Sequence, residues 1–317
     1  MIKKIIAIVC VLGGLCALQI HSQIYQSQKI EDEIEIIIPK GSGSSAVATI
    51  LKEAGLINRP WLFKLAARLF GTDKNLKAGE YVFSGEVSVK DIINKIAAGD
   101  VVYHKITLAE GLTTAQMLKL IYDESLLSGE ISSIPEEGEL LPETYHFVRG
   151  DTKESLIEQA KTAMEKVLDE AWQNRDKTLP LKNKQQLLTL SSIVEKETGV
   201  SSERSLVASV FVNRLRKGMK LQTDPTVIYA LTYGQEDLNR ALTRKDLEID
   251  NPYNTYKYYG LPPSAICNPG KAAIEAAARP AVSSYLYFVA NGQGGHNFAV
   301  SLDEHNSNVK KWKNGQK

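Results

Sequence analysis

Two lysines, Lys3 and Lys4, stand before a run from Ile5 to Ile20 that contains no charged side chain. Such a run cannot lie on a wet protein surface, so it constrains the chain more than any other segment. It falls slightly short of the roughly 20 residues that cross a bilayer as a helix, so a cleaved leader is the alternative. No small residue marks a cleavage site around Leu18, Gln19, Ile20 and His21. Leu15, which precedes Cys16, is too large for a lipidation signal. An uncleaved single-pass anchor is therefore expected. The lysines place its N-terminus in the cytoplasm and the remaining chain outside it, in the periplasm if the membrane is a cell inner membrane.

The chain has 317 residues, which suits two modest domains behind such an anchor. Lys+Arg number 38 and Asp+Glu 37, a balance that lacks the basic excess of nucleic-acid binders, so no nucleic-acid partner is expected. Cys10 and Cys16 lie in the apolar run and Cys267 is alone beyond it, leaving no disulfide within a domain. The histidines His21, His104, His146, His296 and His305 are scattered, and none has zinc spacing with a cysteine. No metal or other cofactor is expected.

Periodicity divides the rest. Residues 1–22 form the cytoplasmic tip and anchor, and the polar stretch 23–33 reads as a stalk. Residues 34–124 read as a membrane-proximal α+β domain, and residues 125–317 as a helix-rich α+β catalytic domain. In the first domain Ile34 to Ile38 is a strand, followed by apolar residues at helical spacing from Val47 to Leu56 and a helix opening at Pro60. A strand over Lys77 to Phe83 precedes a helix that Ser88 caps and Gly99 closes. The stretch from Lys77 to Gly99, with its Gly99-Asp100-Val101 turn, resembles a LysM-type glycan-binding module; a spacer domain is the other reading. Ser125 to Pro142, rich in Gly, Ser, Pro and Glu, marks a boundary loop. Lys153 to Arg175 follows as one long amphipathic helix. Farther on come a helix over Ala272 to Ala278 and a strand pair, Tyr285 to Ala290 with Asn297 to Val300.

The chemistry centres on Leu187 to Thr198. On a helix, Leu187, Leu190, Ile193 and Val194 form an apolar stripe, and Glu197 falls within it, about 20° from Leu190. Glu195 lies about 200° from Glu197 and faces more toward solvent. A carboxyl on a buried face resists ionisation and can keep its proton near neutral pH. A general acid that protonates a glycosidic oxygen needs that property. On helix geometry alone, Glu197 could equally cap a neighbouring helix or pair with an arginine.

More motifs follow in order. Ser192-Ile193-Val194-Glu195-Lys196-Glu197-Thr198 precedes Ser202-Glu203-Arg204 and Val207-Ala208-Ser209-Val210-Phe211-Val212-Asn213-Arg214-Leu215. Then come Leu221-Gln222-Thr223-Asp224-Pro225-Thr226, Tyr253-Asn254-Thr255-Tyr256, Gly260-Leu261-Pro262-Pro263, Asn268-Pro269-Gly270 and Tyr285-Leu286-Tyr287-Phe288-Val289-Ala290. Over nearly the whole exported part, this series resembles the YceG-like family of endolytic murein transglycosylases. The resemblance implies cleavage of β-1,4 MurNAc-GlcNAc bonds in nascent strands, 1,6-anhydro-MurNAc ends and termination of strand growth. It makes the second glutamate of Glu195-Lys196-Glu197 the catalytic one. A hydrolytic muramidase and a non-catalytic glycan-binding scaffold are the alternatives. The implied partners are peptidoglycan strands, the membrane and peptidoglycan synthases.

Residue types in these motifs suggest what else would hold a glycan. Gln222 and Asp224 sit in a loop locked by Pro225, though Asp224 is also placed to cap the helix starting there. Asn254, with Tyr253 and Tyr256, offers hydrogen bonds and aromatic faces, or else packs a loop. Arg214 would support a glycan or peptide carboxylate, or anchor the end of its own helix. His296, beside Phe298, would line the cleft or make a structural hydrogen bond.

Overall fold

The computed structural model describes residues 2–315. Its contacts cluster in two units: residues 1–104 with His146–Asp151, and Lys105–Tyr145 with residues 152–317. The class is mixed α+β, as expected, with helices and small two-stranded sheets.

In the first unit the apolar run is a helix, α1, over Ile2–Tyr25. Its large apolar side chains from Ile2 to Leu18 are exposed, and it is long and apolar enough to fit a single-pass membrane anchor. No stalk separates it from the domain. Ile24 is 4% exposed and packs in the core, with Ile20 against that core, and strand β1 begins at Gln28 and runs to Ile38. Of the residues that read as a stalk, Gln23 lies in the last turn of α1 while Lys29, Glu31, Asp32 and Glu33 lie exposed on β1, with Ile30, Ile36 and Ile38 pointing inward, so charge concealed a strand. An irregularity in the pairing between Ile30 and Ile34 takes up the acidic stretch Glu31-Asp32-Glu33.

Helices α2 (Ser44–Glu53) and α3 (Pro60–Leu69) follow β1. Strand β2 (Gly79–Val87) then pairs antiparallel with β1, from Ile38 opposite Gly79 to Gln28 opposite Val87. Helix α4 (Val89–Ala98) starts at a capping box in which Ser88 and Asp91 satisfy each other's backbone N–H. It stops at Gly99, whose φ of 74° is the left-handed conformation that a side chain disfavours. Val47, Leu51, Phe63, Tyr81, Ile92 and Ile96 fill the core between sheet and helices. Short strands β3 (His104–Thr107) and β4 (Thr144–Phe147) flank α5 (Thr114–Asp123), which Thr113 caps.

The second unit is built around one central helix. After α6 (Lys153–Gln173), helix α7 (Lys184–Glu197) starts where Asn183 accepts the Gln186 N–H. Every side chain from Leu187 to Val194 is buried, because α6, α8 (Arg204–Arg216) and α10 (Lys271–Ala278) pack around it, with α9 (Asp224–Thr232) also in contact. Residues 125–142 form no helix. They are held to this unit by Glu137, which accepts the Thr114 N–H at 2.7 Å, and by Asn268, which accepts the Leu140 N–H at 2.9 Å. The hairpin of β5 (Tyr287–Ala290) and β6 (His296–Ala299) pairs antiparallel. A final helix, α11 (Leu302–Gly315), packs on both strands.

Candidate active site

Glu197 is the last residue of α7, where the helix emerges from the core. Its carboxyl faces a cavity of about 380 Å³ lined by Phe211, Arg214, Leu221, Gln222, Asp224, Tyr256, Tyr287, Phe288, Leu302 and His305. The sequence-derived candidates Glu197, Arg214, Gln222, Asp224 and Tyr256 therefore meet at one place, although they come from α7, α8, the start of α9 and two loops.

Thr223 orients the Glu197 carboxyl. It occupies the N-cap position of α9, yet its hydroxyl caps nothing and donates to Glu197 Oε1. Thr223 is itself fixed: its N–H donates to Thr255 Oγ1 at 3.1 Å and its carbonyl accepts from Thr226 Oγ1 at 2.7 Å. Among the described residues, no hydrogen bond reaches Glu197 Oε2, so that oxygen is open to a proton or a ligand. Burial pushes the Glu197 carboxyl above its ordinary pKa. The Thr223 hydrogen bond opposes that rise, the Asp224 charge adds to it, and His296 and Arg214 oppose it.

Gln222 holds a φ of 48°, an uncommon conformation for a residue with a side chain, and its N–H donates to the Thr255 carbonyl at 3.1 Å. Asp224 does not cap α9; its Oδ1 accepts from the Tyr256 hydroxyl at 2.6 Å. Burial and that carboxylate together push the Tyr256 phenol well up. Asn254 does not reach the cavity. It is fully buried, donates to the Leu247 and Ile249 carbonyls at 3.0 and 2.9 Å, and accepts the Tyr256 N–H at 3.0 Å. All its hydrogen-bonding capacity braces the loop that presents Tyr256. Tyr253 packs against the core, with its hydroxyl 2.6 Å from Ser264 Oγ.

Arg214 is 9% exposed and anchors its helix to other elements. Its Nε donates to the Leu286 carbonyl at 2.6 Å and its Nη1 to the Leu221 carbonyl at 2.7 Å, tying α8 to the hairpin and to the Gln222 loop. Its guanidinium also lies 5.1 Å from the Tyr287 ring at the cavity wall. His296 makes the structural bond: its Nδ1 is 2.7 Å from Glu203 Oε2, and its N–H donates to Glu203 Oε1 at 3.0 Å.

One expectation needs correction. Glu195 does not face solvent: its side chain is 6% exposed, Oε2 accepts the Gly270 N–H at 2.9 Å, and Oε1 lies 3.7 Å from Arg204 Nη2. A single-stripe reading assumed one wet face, whereas the start of α10 covers that side of α7. Ile193 and Val194 are fully buried in the core and do not line the cavity. Its apolar wall is Phe211, Leu221, Phe288 and Leu302 instead.

Other residues of the site escaped the sequence reading. Thr223 lay inside a quoted motif without a role. Leu302 and His305 come from α11, a helix with little apolar content. Its signal was Ser301-Leu302-Asp303-Glu304, a capping-box pattern. Ser301 Oγ accepts the Glu304 N–H at 3.2 Å, and Glu304 Oε2 accepts the Val300 N–H at 2.9 Å. His305 stacks on Tyr287, with ring centroids 5.3 Å apart, and its buried Nδ1 has no partner among the described residues. Burial and the Arg214 charge hold its pKa below the ordinary histidine value.

Comparison with known proteins bears on the whole assembly. The YceG-like family matches residues 36–311. An endolytic murein transglycosylase of Bacillus subtilis is 34% identical over 315 residues, covering 88% of this chain and 84% of that protein. One from Streptococcus pneumoniae serotype 2 is 30% identical over 323 residues, and the match spans 87% of this chain but only 58% of that longer protein. A crystal structure of a yceG-like protein from Listeria monocytogenes superposes with a TM-score of 0.52 at 35% identity, covering 88% of this chain and 99% of that one. With the match running from the first strand into the last helix, this chain belongs to the YceG-like family.

Proposed function

We propose that this chain is an endolytic murein transglycosylase, a lyase that cuts β-1,4 MurNAc-GlcNAc bonds within nascent strands, with Glu197 as its acid and base. The observation that carries this assignment of roles is one half-buried carboxyl whose Oε1 is held by Thr223 while Oε2 is left to the cavity. The names of the Bacillus and Streptococcus relatives support the activity.

The chemistry requires one acid acting twice. Protonated Glu197 donates to the glycosidic oxygen as the bond from C1 of MurNAc breaks, and the departing GlcNAc keeps that proton on its 4-hydroxyl. The resulting carboxylate takes the proton from the C6 hydroxyl of the same MurNAc as that oxygen closes onto C1. A 1,6-anhydro ring forms, no water is consumed, and Glu197 regains its proton. The nucleophile is part of the substrate, which gives it the advantage of an intramolecular reaction. Positive charge that develops at C1 is opposed by the Asp224 carboxylate in the same cavity. Gln222, Tyr256, Arg214 and His305 would bind the glycan, and Asn254 would act through Tyr256.

A hydrolytic muramidase is the second reading, and Asp224 favours it, because a second carboxylate could activate water. Product mass separates the two. Digestion of purified glycan strands should give products lighter by one water than reducing-end sugars; only full-mass reducing ends would overturn the lytic assignment.

The same reading places α1 in the cell inner membrane, with Lys3 and Lys4 cytoplasmic and the enzyme outside. In the first unit β2, α4 and the turn at Gly99 follow the LysM-like order of strand, helix and turn, which supports a glycan-binding or spacer role there. Termination of strands at the membrane would bring the enzyme to peptidoglycan synthases. Co-purification from crosslinked membranes tests that partnership.

A further inference from the structure

A second cavity, of about 340 Å³, lies in the first unit, where α1 meets the domain. Gln23, Gln26, Ser27 and Gln28 line it from the end of α1 and the start of β1, and Asn58 and Arg59 line it from the start of α3. No carboxylate is among its lining residues, and Arg59 is the one full charge there. Arg59 Nη1 donates to Gln23 Oε1 at 2.8 Å, which leaves the Gln23 amide N–H groups directed elsewhere. Gln28 is committed to the Leu56 carbonyl at 2.7 Å. The cavity is thus rich in donors and biased to positive potential.

Its height relative to the bilayer follows from α1. At about 1.5 Å per residue, the run from Ile5 to Ile20 covers about 24 Å. The hydrocarbon layer is about 30 Å thick, so the anchor is short and the base of the domain is drawn onto the headgroups. Because Ile24 is packed in the domain core, no linker can relax that strain. Exposed aromatics adjoin the cavity's lining residues in sequence: Tyr25 at the end of α1 is 43% exposed, and Trp61, two residues after Arg59, is 50% exposed. Both residue types favour the membrane–water interface. Lys90 lies 4.7 Å from the Tyr25 ring and adds a second cation nearby.

We propose that this cavity binds the phosphate of an anionic phospholipid from the bilayer that α1 crosses, with Arg59 as the charged contact and the Gln23, Gln26 and Asn58 amides as donors. The proposal rests on reading α1 as a retained anchor. Bound there, a lipid would fix the depth of the domain at the membrane.

Full-length protein is released from nanodiscs that contain equal phosphatidylglycerol and phosphatidylcholine, and native mass spectrometry reads the retained lipids. Wild type is expected to retain phosphatidylglycerol preferentially. Arg59→Gln removes the charge-assisted contact and should weaken that preference about tenfold. Gln26→Glu, at an exposed position that folding tolerates, should abolish it by placing a carboxylate in the cavity. Equal retention of both lipids by wild type, or an unchanged preference in both variants, overturns the proposal. Glycerol phosphate that raises the melting temperature in pure phosphatidylcholine discs through Arg59, with no phosphatidylglycerol preference, would identify a free-anion site and also overturn it. Loss of the anchor reading is seen separately, as a mature N-terminus beyond His21 or release from membranes by high salt.

Discussion

Thr223→Val is the sharpest test of how the acid is set. Valine keeps the β-branched shape at a position that is 2% exposed, and the backbone bonds of Thr223 to Thr255 and Thr226 do not involve the lost hydroxyl. What disappears is one hydrogen bond donated to a carboxylate. Such bonds are worth about 1.5–3 kcal/mol. Each 1.36 kcal/mol changes the ratio of the two protonation states about tenfold, so the acid form of Glu197 should gain on the carboxylate by about ten- to a hundredfold at a given pH. The sign is fixed: Thr223 holds the pKa down against burial, so its loss lets the pKa rise further. The alkaline limb of the pH–rate profile should therefore move to higher pH in Thr223→Val and return in Thr223→Ser. The assay is initial cleavage rate on purified glycan strands across pH, with circular dichroism to verify folding. A folded Thr223→Val enzyme whose alkaline limb stays in place, or moves to lower pH, would refute the reasoning.

Glu197→Gln should abolish cleavage yet raise the melting temperature at neutral pH. Burial raises the folded pKa, so between the ordinary carboxyl value and that raised one the folded state holds a proton that the unfolded state has lost, and stability falls as pH rises through this window. The gain from glutamine should accordingly vanish below about pH 4.5; a constant gain at every pH would contradict it. Glu195→Gln should retain cleavage, whereas Glu195→Ala should lose about 1–3 kcal/mol of stability in urea titrations, because the Gly270 N–H and Arg204 lose their partner. Arg214→Lys cannot reproduce the fork to Leu286 and Leu221 and should cost about 2–3 kcal/mol together with most activity. His305→Ala should raise KM about tenfold with an unchanged melting temperature if its free Nδ1 meets the glycan; a fall in melting temperature with KM unchanged would make it a packing residue.

Local signals were legible where one element answers to one rule. Ser88, Thr113 and Asn183 start their helices as their side chains dictate, Gly99 ends α4, and the apolar run became α1. Glu197 was legible because its helix carries it to the boundary of a buried face. Glu195 was not, because periodicity shows where apolar residues gather and cannot show that a further helix covers the opposite side. Asn254 read as a sugar contact because an amide near tyrosines looks the same whether it braces a loop or meets a ligand; three hydrogen bonds to backbone decide it. Strand β1 began earlier than expected because its outward residues are charged, and α11 went unseen because its side chains are mostly polar.

That late helix has a consequence for the order in which the enzyme becomes active. On the proposed topology, with α1 retained and its N-terminus inside, the chain after α1 is exported in sequence order, and Glu197 emerges while the segment bearing Leu302 and His305 is still inside. The acid would then have its threonine and its loop but lack one wall of the cavity, and the hairpin would lack the helix that packs on it. Half-exported molecules would therefore be poor cutters of the wall around them. Proteolytic removal of α11 from the mature protein should reproduce that immature state.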